Sequence, residues 1–157
     1  MVPFTILIIF FILLSVTRLV VGRKKFTLAF CGRASLAVML VFTGISHFTK
    51  TGLMMQMLPD FIPYPEQMIY GTGFLEILGA FGLITGKFSR ITSWFLIVFF
   101  LMILPANIIG SIKKVGLGGM ERGLSYLYFR IPLQLFFIAW TYYFGIRTRD
   151  KKRSKRK

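Results

Sequence analysis

The sequence predicts an all-α membrane protein with five transmembrane helices. Three observations carry this. Hydrophobic residues make up 55% of the 157 and charged residues only 16%, too few charges to cover a water-soluble domain of this size. The charge is also displaced to one end, since the last eleven residues hold eight of the 20 Lys and Arg. The rest contains five apolar stretches, each close to the ~20 residues that cross a hydrocarbon core about 30 Å thick. A soluble α/β enzyme, a secreted disulfide scaffold and a disordered chain are thereby excluded. The single cysteine, Cys31, allows neither an internal disulfide nor a Cys-x-x-Cys redox pair, and reads as a small buried hydrophobe.

The first stretch, Pro3 to Val21, has no basic residue ahead of its apolar run, whereas Arg18, Arg23, Lys24 and Lys25 lie at or beyond its end. A signal peptide has the opposite order, so this stretch reads as an uncleaved first helix followed by a basic loop. The other spans lie at Leu28 to His47, Gln67 to Gly86, Ile91 to Ile112 and Gly123 to Ile146. The connection Phe48 to Glu66 is rich in Met and Leu and carries Pro59, Pro63 and Pro65, the composition of a segment lying in the membrane interface as a rim or lid. No internal repeat or matched pair of broken helices is visible, which counts against an inverted-repeat transporter. Gly116, Gly118 and Gly119 follow no strand, so no nucleotide-binding loop is expected.

Five spans put the termini on opposite sides. Thirteen Lys and Arg fall on the side of the tail and four on the other, namely Lys50, Lys113, Lys114 and Arg122. Basic loops stay in the cytoplasm, so the N-terminus is expected outside and the C-terminus inside a bacterial cytoplasmic membrane. Trp94, Trp140, Tyr142 and Tyr143 then form an inner aromatic belt, and Tyr64, Tyr70, Tyr126 and Tyr128 an outer one. The tail, residues 147–157, presents Arg147, Arg149, Lys151, Lys152, Arg153, Lys155, Arg156 and Lys157. Against anionic lipid each basic group gains about 1 kcal/mol at most, while the lack of aromatic residues for base stacking argues against nucleic acid.

Four charges lie inside the spans. Arg18 and Arg33 are near the inner ends of their helices, where a long side chain can snorkel to water. Glu76 is ten residues into its helix, about 15 Å deep, on the same side as Thr72, Gly79 and Gly86. On the last span Tyr126, Arg130, Gln134 and Thr141 form one stripe, with Arg130 about 10 Å deep and Gln134 about 16 Å. Asn107 follows Pro105, which loosens the fourth helix, and His47 closes the second helix one turn after Thr43. An ionisable group inside a membrane bundle points to a ligand, ion or proton site, and the equal alternative is a buried pair that only sets helix register. Glu76 and Arg130 are expected to interact, directly or through Asn107 or Gln134, below the proline-rich loop. One His, one Cys and one buried carboxylate cannot make up a set with metal-ligand spacing, and no haem-attachment motif is present.

From about Arg33 to Tyr143 the chain resembles the DoxX-like family of small membrane proteins. The resemblance rests on Arg33, Gly44-Ile-Ser-His47-Phe48, the loop prolines Pro59 and Pro63, Thr72-Gly73-Phe-Leu-Glu76-Ile-Leu-Gly79, Pro105-Ala106-Asn107, and Arg130 with Pro132 and Gln134. It implies a four-helix transmembrane bundle of DoxX type over residues 28–146, with residues 1–27 as one extra N-terminal transmembrane helix and basic loop and residues 147–157 as a basic cytoplasmic tail. It also implies an integral subunit of a redox or detoxification system, more an accessory membrane subunit than an enzyme. No covalent cofactor is expected; a quinone or similar lipophilic molecule would bind around His47, Glu76, Asn107, Arg130 and Gln134, with a redox partner protein. The alternative is an assembly chaperone or scaffold holding client membrane proteins. A proton-coupled carrier fits such a small, repeat-free chain less well.

Overall fold

A computed structural model describes residues 2–21 and 27–148, and among these the chain is helical with no strand. Helix α1, Val2–Val21, follows the first apolar run. Helix α2, Leu28–Thr49, starts where the Thr27 hydroxyl accepts the Phe30 N–H at 3.1 Å, the N-cap that satisfies an otherwise orphaned donor. A single turn, α3, Thr51–Met55, leads into the proline-bearing connection. Helix α4, Pro65–Ile84, begins on proline at its first turn, directly after Tyr64 in a left-handed conformation at φ 55°. Proline is pre-set for that position because the N–H it lacks would have no helical partner. Helix α5, Ser89–Ile112, runs through Pro105. Helices α1, α2, α4 and α5 are long and apolar enough to cross a membrane.

The fifth expected span differs. It is helical from Met120 to Arg147 but in three pieces: a 3-10 segment Met120–Tyr126, the α-helix α6, Leu127–Tyr142, and a π turn Tyr143–Arg147. Gly123, at φ 68° and ψ −144°, is non-helical and divides the 3-10 segment itself, a backbone geometry available to glycine alone at low energy. The 16 residues of α6 reach about 24 Å; the π turn extends the helix beyond that.

Packing does not follow hydropathy. Helix α2 lies in the middle, against α1, α4 and the π turn, while α5 packs on α4 and α6. The core joins Leu36, Met39 and Leu40 of α2, Ala80 and Leu83 of α4, Leu96 and Phe100 of α5, and Phe137 of α6. Among the described side chains of α1, Leu7 alone is buried. At the opposite end of the bundle from His47, a side chain on Gly32 would collide with the Phe144 ring. Trp140 donates its indole N–H to Gly32 O at 3.0 Å and packs on Phe11 and Phe144. Trp94 remains half exposed. Arg33, expected to snorkel, is buried and donates from Nη1 to Ser89 Oγ at 3.2 Å.

A smaller apolar cluster of Met57, Val115, Met120 and Tyr126 holds the proline-bearing connection over the end of α5. Gly110 makes room for it, because a Cβ there would stand 2.8 Å from both Met57 and Met120. Lys113 Nζ completes the attachment, donating to Leu58 O at 3.1 Å and to Asp60 Oδ1 at 2.8 Å. This ion pair holds the exposed Asp60 carboxyl below its ordinary range.

Candidate ligand site

The site is built on a close crossing of α2 and α4. A Cβ on Gly44 would lie 3.0 Å from Gly73 O and 2.8 Å from Ile77 Cγ1, and one on Gly73 would lie 2.7 Å from His47 Cβ. Small residues let membrane helices approach backbone to backbone. Each helix places its polar group three residues after its glycine, His47 after Gly44 and Glu76 after Gly73, so the glycine contact carries both groups to one seam.

There His47 touches two side chains of α4. Its Nδ1 is 3.1 Å from Thr72 Oγ1 and its Nε2 is 3.6 Å from Glu76 Oε1. Glu76 is 5% exposed, and its second oxygen, Oε2, is buried with no hydrogen-bond partner among the described residues. Phe48 stacks on Tyr70 at 5.6 Å, and Tyr70 donates its hydroxyl to Glu66 at 2.9 Å, flanking the seam at its loop end.

Arg130 reaches the same region from α6. Its Nε is likewise buried without a partner among the described residues, with Tyr126 beside it and Glu76 within electrostatic range. It is not within ion-pair distance of Glu76, whose ionic partner among the described residues is His47. The expected bridging groups are engaged elsewhere. Asn107 Nδ2 donates to Ile103 O at 3.1 Å on its own helix, and Gln134 Nε2 donates to Phe100 O at 2.6 Å. Gln134 is thus a tie between α6 and the backbone of α5, and Asn107 reinforces α5 beside Pro105. The structure brings His47 and Glu76 together and adds Thr72, which the sequence placed on the right helix face without a partner.

A buried carboxylate oxygen and a buried guanidinium N–H, each lacking a protein partner, would be costly if left unsatisfied. Together they suit a molecule that offers an acceptor oxygen to Arg130 and a donor to Glu76. The apolar groove of about 370 Å³ lies apart from these groups, between Val38, Val41 and Phe42 of α2 and Ala80, Phe81 and Ile84 of α4. Of the basic tail, Arg147 ends the π turn and is exposed; Arg149, Lys151, Lys152, Arg153, Lys155, Arg156 and Lys157 lie outside the described residues, as do Arg23, Lys24 and Lys25.

Fold and site define an all-helical protein of membrane type with a polar centre on one inter-helix seam. Residues 36–145 match the family described as a domain of unknown function, DUF8561, and the chain belongs to it. The match holds every residue of the polar centre and leaves α1 outside. No curated protein and no solved structure matches the chain.

Proposed function

We propose that the protein is the ligand-holding membrane subunit of a redox or detoxification system, and that residues 28–146 form a bundle of DoxX type. The ligand is a quinone, its quinol form or a similar lipophilic molecule with a polar head, held by Glu76, His47 and Arg130: its oxygens accept from Arg130, and in the reduced form a hydroxyl donates to Glu76; electrons come from a partner protein. In this reading the His47 end faces outward and the basic tail lies on anionic lipid at the cytoplasmic surface. The observation that carries it is the pair of buried, unpartnered polar atoms, Glu76 Oε2 and Arg130 Nε. A structural pair would satisfy its own members, since a buried polar group without a partner is expensive. The test is thermal unfolding of the detergent-solubilised protein with and without a short-chain quinone. Stabilisation that disappears in Arg130→Met and Glu76→Gln supports the reading, and identical unfolding in all samples removes it.

The scaffold alternative draws on small-residue faces that could hold other helices. Gly44 and Gly73 are occupied by each other's helix, Gly79 by Leu96 and Gly82 by Thr92, so these faces serve the chain's own packing. Helix α1, with its open face, is the surface left for a client.

A further inference from the structure

Thr72 determines where the proton of this site resides. Its Oγ1 is 2.8 Å from Ile69 O and 3.1 Å from His47 Nδ1. A hydroxyl has a single hydrogen, and the shorter contact, to a carbonyl one turn back, is the habitual bond of a threonine within a helix. With that hydrogen on Ile69 O, the oxygen can only accept from His47, so Nδ1 carries a hydrogen. A neutral imidazole protonated at Nδ1 presents a bare lone pair at Nε2. Glu76 Oε1 faces that nitrogen at 3.6 Å, and two lone pairs opposed in a buried seam repel. One proton therefore lies between them, as imidazolium against carboxylate or as imidazole against carboxylic acid.

We infer that Thr72 is a positioning residue that holds His47 in its Nδ1–H form, so that His47 and Glu76 together carry one shared proton and Arg130 remains the net charge of the site. Around the pair, α2 carries Arg33 near its far end and is capped by Lys50, while α4 holds Tyr70 and Glu66 bonded to each other at its loop end. Helix α3 has no titratable residue, and α5 carries only Arg90, in its first turn. Tyr126 stands beside Arg130. The consequence for the ligand rests on the function proposed above: a positive site whose buried Arg130 N–H lacks an acceptor takes an electron-rich oxygen, such as a quinone carbonyl or a phenolate. Only a proton passes between the pair and such an oxygen.

His47 is the only histidine, so full-length protein labelled with ¹⁵N in the imidazole and held in lipid nanodiscs gives one Nδ1 and one Nε2 resonance. The expected spectrum has Nδ1 protonated throughout about pH 5 to 8, the range in which a free imidazole titrates. Thr72→Val should convert the neutral ring mainly to the Nε2–H form, and Thr72→Ser should restore the wild-type pattern. A wild-type ring with bare Nδ1, or a Thr72→Val ring that keeps its proton on Nδ1 at a pH where it is neutral, overturns the inference. The wild-type spectrum decides even if Thr72→Val does not fold. Melting with a short-chain quinone is measured on the same samples. A protonated Nδ1 without quinone stabilisation sinks the ligand reading and leaves the proton assignment standing; stabilisation with a bare Nδ1 does the reverse.

Discussion

Helices α1 and α2 make an instructive pair. The first is the more apolar, yet among its described side chains it buries only Leu7 and leaves Ile9, Ile12, Leu13, Val16, Leu19 and Val20 exposed. The second carries Gly32, Arg33, Ser35, Gly44 and His47, and ten of its residues are buried. In water this order would be inverted, because apolar surface is driven inside. Between membrane helices that drive is absent, since lipid is as apolar as leucine, and close packing and hydrogen bonds select the interior instead. The less hydrophobic helix is central because its small and polar residues have something to gain from neighbours.

The largest effect expected from breaking this contrast is at the seam. Replacing His47 by Leu removes the ionic partner of Glu76 and should destabilise the protein by about 3 to 5 kcal/mol, as for a buried pair broken on one side. Adding Glu76→Leu should recover part of that loss. Unfolding in mixed SDS micelles measures both, and a double variant less stable than His47→Leu would show that the two groups do not act as a pair.

Truncation compares the two helices directly. Leu40→Ala, at a fully buried position of α2, should cost about 2 to 5 kcal/mol through the lost contacts and the cavity. Ile12→Ala on α1, 56% exposed, should change stability by less than about 0.5 kcal/mol. Equal losses at the two sites would mean that α1 is packed against something in the membrane, and would point to a partner or a second copy on its open face.

Overpacking tests the glycine crossing itself. Gly44→Val places carbon against Gly73 O and Ile77, and should cost about 1 to 3 kcal/mol. Its specific signature is separation of the seam: quinone-induced stabilisation should fall with it, whereas the same substitution at Gly71, where a side chain meets open space, should leave ligand response intact.

The smallest effect is at the loop. Asp60 has its pKa lowered by Lys113, so the attachment contributes fully above the unfolded value of about 3.9 and is lost as pH falls through the lower folded value. At neutral pH Asp60→Asn should therefore speed amide exchange in the proline-bearing connection without shifting global unfolding measurably. In wild type the same loosening should appear only in strong acid.

The polar centre was partly legible before the fold. A glutamate ten residues into an apolar helix and an arginine on a polar stripe are expensive enough in a membrane to be noticed one helix at a time, and both lie in the region where the seam forms. Their partners were not legible. Gln134 shares a stripe with Arg130, but its amide finds Phe100 O because α5 and α6 pack so that this carbonyl is nearest. His47 looked peripheral at the end of its helix, and became the contact of Glu76 only through the Gly44–Gly73 approach. The matched glycine-to-polar spacing on α2 and α4 was the available signal, and it has meaning only once those two helices are known to cross at the glycines.

Sequence alone determined that the chain is helical and apolar enough for a membrane, where each long helix lies to within a few residues, and which side chains are costly to bury. Each is a property of one segment in its solvent, a sum over local terms that needs no neighbour. Tertiary structure decided which helix is central, that the last span starts at a non-helical break at Gly123 and ends in a π turn, that Arg33 turns inward to Ser89, and that His47 rather than Arg130 faces the Glu76 carboxylate. Those outcomes depend on which two surfaces meet and at what height, and in a membrane the differences among pairings are small contact and hydrogen-bond energies that no single helix encodes.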